Sequence, residues 1–401
     1  MQLINRETKM IPVNEPLLNG REKELLIKCI ESGWISSDGP FVRQFEEGFS
    51  SYLGAKYGVA VCNGTAAIET ALFAAGIGKH DIIIMPTFTI ISCAIAAIRL
   101  GARPWLVDID PDTWCMDVVQ LEAVVEKALQ IGQNRLKAIM PVHIYGHPVD
   151  MDPVLEISDH FHLKVIEDAA EAHGAEYRSK FAAFKDRESE GAFKKCGSMG
   201  HLAAFSFYAN KIVTTGEGGM VICNDKKTAE RARSYRNLCF KPEKRFYHTE
   251  VGYNFRMTNL QAAVGLAQLE QIDRLIDRKR RIGRYYRECM ADITGIRFQT
   301  EKPWARPVHW MVAVELDQET GINAETFQRR LSKKGIGSRP FFLGLHTQPV
   351  LQKLNLGFDP DGFPKADHAY RYGCYLPSGM ALTESQVDRV CKAVREALKG
   401  D

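Results

Sequence analysis

The ten cysteines stand at 29, 62, 93, 115, 196, 223, 239, 289, 374 and 391, with no C-x-x-C pair among them and several inside apolar runs. That spacing excludes a zinc ribbon or a disulfide framework and leaves reduced thiols buried as small hydrophobes. No stretch reaches the roughly 18 apolar residues of a membrane helix, and the opening MQLINRETKMIPVNEP lacks an apolar signal core. A cytoplasmic protein is therefore expected. Charge of one sign is scarce, since 52 basic residues against 49 acidic ones leave +3, which gives no electrostatic reason to expect nucleic acid as a partner. No G-x-G-x-x-G follows the first apolar run, and no P-loop, H-E-x-x-H or G-x-S-x-G occurs. The usual signatures of nicotinamide oxidoreductases, nucleoside triphosphatases, zinc proteases and serine hydrolases are thus missing. His160 and His162 are two apart, the wrong spacing for one helix face.

At 401 residues, 45% hydrophobic and 25% charged, the chain has the composition of a globular protein of two unequal domains. A helix is expected over 21–32, ended by Gly33, then a polar loop carrying Trp34 and Ser36, then a helix from Phe41 to Leu53. From Gly58 to Glu167 short apolar runs alternate with helical segments. The expected strands are Val59–Cys62, Ile82–Met85, Trp105–Val107, Ala138–Val142 and Val165–Ile166, with two more at Leu202–Phe207 and Met220–Cys223. Such alternation predicts crossover units and a mainly parallel sheet with helices on both faces, in which ligands bind beyond the carboxyl ends of the strands. One long helix is expected over Thr258–Met290, bridging a large α/β domain, residues 1–265, to a smaller α+β domain, residues 266–401. Residues 178–195 break the rhythm and read either as a solvated insertion on the surface or as a flap that contacts a partner or lines the substrate site.

The strand ends carry the chemistry. Asn63-Gly64-Thr65-Ala66-Ala67 opens a helix with small residues, either as an ordinary cap or as a cradle for an anion such as phosphate. Pro86-Thr87-Phe88-Thr89 puts an aromatic ring at the same edge, for core packing or for stacking on a ligand. Asp168, in Glu167-Asp168-Ala169-Ala170-Glu171, caps a helix or holds a proton on a heteroaromatic nitrogen. Lys211 lies between an aromatic run (Phe205, Phe207, Tyr208) and a Gly-rich turn, a poor home for a solvated ammonium. A lysine there either snorkels to the surface or works as a nucleophile toward carbonyl compounds. Anion cradle, ring, acid, the Ser206 hydroxyl and buried lysine, in that order, are the parts that hold pyridoxal 5′-phosphate.

These motifs, together with Ile11-Pro12-Val13, Ser206-Phe207-Tyr208-Ala209-Asn210-Lys211, Thr215-Gly216-Glu217-Gly218-Gly219 and Gly252-Tyr253-Asn254-Phe255-Arg256, make the chain similar to the DegT/DnrJ/EryC1/StrS sugar aminotransferases from about Ile11 to Leu398. The resemblance implies fold type I, the aspartate aminotransferase architecture, and transfer of an amino group from L-glutamate to a nucleotide-linked keto sugar for O-antigen or other glycan biosynthesis. It implies Lys211 as the Schiff-base lysine and Asp168 as partner of the pyridine nitrogen. Phe88 would stack on the ring, Gly64, Thr65 and Ser206 would hold the phosphate, Ala66 would bind the cofactor beside them, and Glu171 would lie at the cofactor's 3′-oxygen. Asn254 would reach the cofactor of a second subunit, so a homodimer with shared sites is implied. The run Arg339-Pro340-Phe341-Phe342 with Leu345-His346 is similar to that of members acting on GDP-4-keto-6-deoxymannose at C4. Trp34, Ser36, His309, Arg339, Phe341 and His346 would then line the sugar-nucleotide site. The chain departs from the family in having Glu171 where glutamine is frequent and Gly344 where proline is common.

Overall fold

A computed structural model describes residues 10–132, 135–180, 192–241, 243–244, 246–356 and 362–399. The N-terminal half begins with helices α1 (Glu22–Ser32) and α2 (Pro40–Tyr52), then alternates β1 (Tyr57–Val61), α3 (Gly64–Ala74), β2 (Ile82–Pro86), α4 (Ser92–Arg99), β3 (Arg103–Val107), α5 (Val118–Gly132), β4 (Leu136–Ile139), α6 (Met151–His160) and β5 (Lys164–Asp168). Two short strands follow, β6 (Glu176–Arg178) and β7 (Phe193–Lys195), then β8 (Leu202–Ser206), β9 (Gly219–Cys223) and α7 (Lys226–Arg236). Most of the insertion expected at 178–195 lies outside the described residues; its two ends pair with each other as β6 and β7.

Among the described residues the main sheet has seven strands in the order β1-β9-β8-β5-β4-β2-β3. β9 runs antiparallel to both neighbours, and the remaining pairings are parallel. The central strands are buried throughout, as in Ile82–Pro86 and Leu202–Ser206, because helices cover both faces. Their carboxyl ends bring Val61, Pro86, Asp168 and Ser206 toward one edge, while β9 returns along β8 and pairs Gly219 with Ser206.

The helix expected over Thr258–Met290 is two helices, α8 (Asn259–Leu269) and α9 (Ile272–Cys289). A reciprocal capping box between Thr258 and Gln261 starts α8. The break comes at Gln271, whose backbone leaves the helical region (φ −122°, ψ 17°). Tertiary polar contacts hold this corner: Gln268 and Gln271 both donate to the Glu22 carboxylate, and Arg21 bonds Glu270 at 2.9 Å. The periodicity of the sequence continues across the break, so pattern alone could not reveal it.

A second sheet, β10 (Ile296–Phe298), β12 (Val312–Leu316), β14 (Gly373–Leu376) and β13 (Arg339–Pro340), is antiparallel. The two-residue β11 (Ala305–Arg306) instead joins β6. Helices α10 (Ala324–Lys333), α11 (Pro349–Gln352), α12 (Pro364–Tyr372) and α13 (Glu384–Lys399) complete this half. Its core gathers Ile282 and Tyr286 of α9, Phe327, Leu331, Val390 and Val394, and also Ile11, which bonds across to Gly335 and Gly337. Strand β13 lies in the Gly-Ser-Arg-Pro segment that leaves α10 for Phe341 and Phe342. No helix among the described residues is long and apolar enough to cross a membrane.

Where β9 begins, a side chain at Gly219 would place its Cβ 2.4 Å from the Asn63 carbonyl oxygen and 2.9 Å from that of Phe205, both backbone atoms that cannot swing aside. Gly219→Ala is therefore expected to cost about 1–3 kcal/mol and to lower the thermal midpoint. A midpoint equal to that of the parent chain would show that the strand edge yields without cost.

Candidate active site

Beyond the strand ends lies a cavity of about 670 Å³, lined by residues from α3, α4, β5, β8 and the segments that follow them. One side is built by the start of α3. Asn63 is extended and its side chain accepts the Ala66 N–H at 2.8 Å, so the cap reading of this motif holds. The first N–H groups of the helix, at Gly64 and Thr65, have no carbonyl a turn back to bond. Gly64 is small for a reason: a Cβ there would meet Ser206 Cβ at 2.7 Å, so the helix end lies directly against the end of β8. Thr65 Oγ1 bonds Ser92 Oγ at 2.9 Å. Hydroxyls of Thr65, Ser92 and Ser206 thus gather around a helix N-terminus, a group suited to an anion.

The opposite side holds the titratable groups. The Lys211 side chain is only 10% exposed, and its Nζ lies 3.6 Å from Glu171 Oε1 and 3.7 Å from the centre of the Trp310 ring. Burial pushes its pKa below the ordinary lysine value, while Glu171 and Asp168 partly oppose the shift. Burial pushes the Glu171 carboxyl up to about 7, against the pull of Lys211 and of the Tyr145 N–H, which donates at 2.7 Å. Asp168, buried at the end of β5, takes the Ala170 N–H on Oδ1 at 3.0 Å and the Cys93 thiol on Oδ2 at 3.1 Å. Its neighbour Glu167 fixes the strand end. That fully buried carboxylate accepts from Gly197, Met199 and Gly200 N–H and bonds His143 Nε2 at 2.9 Å.

An aromatic wall closes the site. Tyr145 (φ 54°) stands between Phe342 and Trp310, with near-parallel rings at 5.7 and 6.4 Å. Trp310 Nε1 donates to Asn210 O at 2.9 Å, fixing the turn that carries Lys211. Asn210 itself lines the cavity with a buried Oδ1 that has no protein partner.

The cavity thus brings together Gly64, Thr65, Ala66, Asp168, Glu171, Ser206 and Lys211. Several residues expected at the site lie elsewhere. Phe88 has no exposed surface and packs edge-on against Tyr145, Phe341 and Phe342, so it offers no face to the cavity; Thr89 and Ile90 line the wall instead. Phe341 is buried against Trp114 and Phe88, and its neighbour Phe342 lines the cavity. His346 is held by Thr87 Oγ1 at 2.8 Å and Asp367 Oδ1 at 3.1 Å, away from the cavity. His309 sits at φ 50°, where only Gly283 of α9 leaves it room; burial lowers its pKa to about 3, so it is neutral. It is the next residue, Trp310, that reaches the cavity. Arg339 is exposed and lines an adjoining hollow of about 370 Å³ that shares Tyr208, Asn210 and Tyr375 with the main cavity. Trp34 and Ser36 lie on the exposed surface, as does Asn254, which the resemblance assigns to a second subunit's site and not to this one. Sequence reasoning missed Ile90, Ser92, Tyr208, Trp310, Phe342 and Tyr375. A signal existed for Phe342, because adjacent residues leaving a strand face opposite ways.

The cavity fits pyridoxal 5′-phosphate. Its lining combines an anion cradle at a glycine that tolerates no Cβ, a carboxylate, and an amine with lowered basicity within one enclosure.

The Glu171 carboxyl, higher when folded than its ordinary 4.5, favours the folded state fully below about 4.5, and that contribution is lost as pH rises through about 7. The difference in thermal midpoint, Glu171→Gln minus parent, is expected to grow in the variant's favour across that window. A difference that stays flat from acid to neutral pH would place the Glu171 proton elsewhere.

The comparisons with known proteins agree with this geometry. The model of the DegT/DnrJ/EryC1/StrS aminotransferase family matches residues 16–395. GDP-perosamine synthase of Caulobacter vibrioides is 40% identical over 97% of this chain and 98% of its own length. GDP-perosamine synthase of Escherichia coli O157:H7 is 37% identical over 97% and 98%. A crystal structure of S. venezuelae DesV with a ketimine intermediate superposes with a TM-score of 0.86 at 29% identity, covering 98% of this chain and all of that one. With the fold type I sheet in place, the chain belongs to the DegT/DnrJ/EryC1/StrS aminotransferase family, whose members are pyridoxal phosphate-dependent enzymes.

Proposed function

We propose that this chain binds pyridoxal 5′-phosphate and moves an amino group from L-glutamate to C4 of GDP-4-keto-6-deoxymannose, releasing 2-oxoglutarate and GDP-perosamine. The observation that carries the reaction type is the placement of Lys211, Glu171 and Asp168 on one cavity with the Gly64–Ser206 cradle. Support for the sugar comes from the near full-length identity to two relatives named GDP-perosamine synthase.

When bound, the cofactor supplies an aldehyde for condensation with amines and a protonated ring that withdraws electrons from the bond being broken. Gly64, Thr65 and Ser206 would hold its phosphate, with Ser92 oriented through Thr65. Asp168 would keep the ring nitrogen protonated, since an anionic oxygen there favours the charged form. Lys211 would release the aldehyde to the incoming amine. Its Nζ, less basic through burial, would then take the proton from the α-carbon of glutamate and deliver it, and later run the same transfer in reverse on the sugar. Glu171, 3.6 Å away, would hold Nζ in the cavity. Ile90 and Trp310 would exclude water. The exposed Arg339 in the adjoining hollow would meet substrate charge.

Asn254, exposed on this chain, would complete the site of a second copy, making the homodimer the working unit.

An absorbance titration tests the reading. The yellow of the loaded enzyme is expected to bleach with L-glutamate and return with GDP-4-keto-6-deoxymannose. Return only with a different keto sugar would move the substrate while keeping the chemistry. Lys211→Ala is expected to lose turnover with its fold retained, and Asp168→Ala to lose most of it; measurable transamination in the lysine variant would sink the central role. For the shared site, Lys211→Ala mixed with Asn254→Ala through reversible unfolding should recover activity that neither has alone. No recovery would place Asn254 outside the partner's site.

A further inference from the structure

The sequence reads all ten cysteines as passive core residues, and for Cys93 the structure says otherwise. Cys93 lies in the first turn of α4 with no exposed surface. Its Sγ is 3.1 Å from Asp168 Oδ2 and 3.5 Å from Thr89 Oγ1. Burial, and next the Asp168 charge, hold the thiol well above its ordinary pKa, so it stays protonated and donates. Asp168 Oδ1 is held by the Ala170 N–H at 3.0 Å. Main-chain bonds from Asp168 N to Pro141 O and from His143 N to Asp168 O fix the backbone. The carboxylate plane is therefore held at both oxygens, one by an amide and one by a thiol.

We propose that Cys93 is a positioning residue for Asp168, its S–H fixing the rotation of the carboxylate that faces the cavity. This rests on the reading of Asp168 as partner of the cofactor's ring nitrogen. A thiol is a weak donor compared with a hydroxyl. It restrains the carboxylate while withdrawing little of the negative charge that a protonated ring nitrogen requires. An apolar residue in its place leaves one buried carboxylate oxygen short of a donor and free to rotate.

The test uses the full chain freed of cofactor and titrated with pyridoxal 5′-phosphate by absorbance, comparing parent, Cys93→Ala, Cys93→Val and Cys93→Ser. Losing one hydrogen bond to a charged group is worth about tenfold. Both apolar variants are expected to bind the cofactor about tenfold more weakly and to lose kcat rather than raise KM for glutamate. Cys93→Ser recovers most of the binding because it restores a donor, and falls short of the parent because a hydroxyl withdraws more charge from Asp168. Cys93→Val fills the space that alanine empties, so the comparison survives if the alanine variant folds poorly. An independent readout needs no cofactor: the infrared S–H band isolated by subtracting Cys93→Ala from parent should move to higher frequency in Asp168→Ala. Unchanged cofactor affinity in both apolar variants, or an S–H band indifferent to Asp168→Ala, overturns the proposal. A parent chain that fails to bind pyridoxal 5′-phosphate overturns the proposed function instead, and the two failures are thereby distinguished.

Discussion

A lysine placed where it cannot be well hydrated is the constraint around which this structure is arranged. Lys211 leaves β8 in a turn closed by the Tyr208 carbonyl and capped by Trp310, and its ammonium has an indole face and one carboxyl for company. In a poorly solvated cavity neither Lys211 nor Glu171 is comfortable when charged alone, so the pair is poised: burial lowers one pKa and raises the other toward neutrality. That balance is useful for moving protons and costly for stability. The surrounding structure offsets the cost with a fully buried core and with Glu167, which three amides of the 197–200 turn and the His143 ring hold at the end of β5.

The cavity is made from both halves of the chain. The α3 cradle, Asp168 and Lys211 come from the main sheet, while Trp310 and Phe342 come from the second half and Tyr375 from the second sheet. Tyr145, in a positive-φ conformation, joins them by standing between Trp310 and Phe342 and giving its N–H to Glu171. One residue, Tyr145, thus links the rings of the second half to Glu171, by its side chain on one side and its backbone N–H on the other. The helix break at Gln271, held by Glu22, sets where α9 points and hence where His309 and Trp310 fall.

Much of the architecture was legible in the sequence. The strand runs from Val59 to Met220 sit where alternating apolar and helical patterns put them, because a parallel sheet buried on both faces needs continuous apolar strands separated by crossover helices. The motifs Asn63–Ala67, Glu167–Glu171 and Ser206–Lys211 were legible for a related reason: each ends a strand at the carboxyl edge, so residues far apart in number must meet there. Chain order therefore determined the fold class, the edge at which ligand chemistry is concentrated, and the lysine and carboxylates gathered at it.

Tertiary structure alone decided which neighbours face the cavity. Phe88 or Ile90, Phe341 or Phe342, and His309 or Trp310 are pairs one or two residues apart, and a single positive φ or the side from which another segment packs selects between them. Cys93 is one more case. In the sequence it is a small apolar-compatible residue among others, and it becomes a donor only because α4 lays its thiol against the end of β5, 75 residues later. Local pattern encodes which residues are buried, since burial follows periodicity. It does not encode which buried atoms touch, since that depends on how separate elements pack.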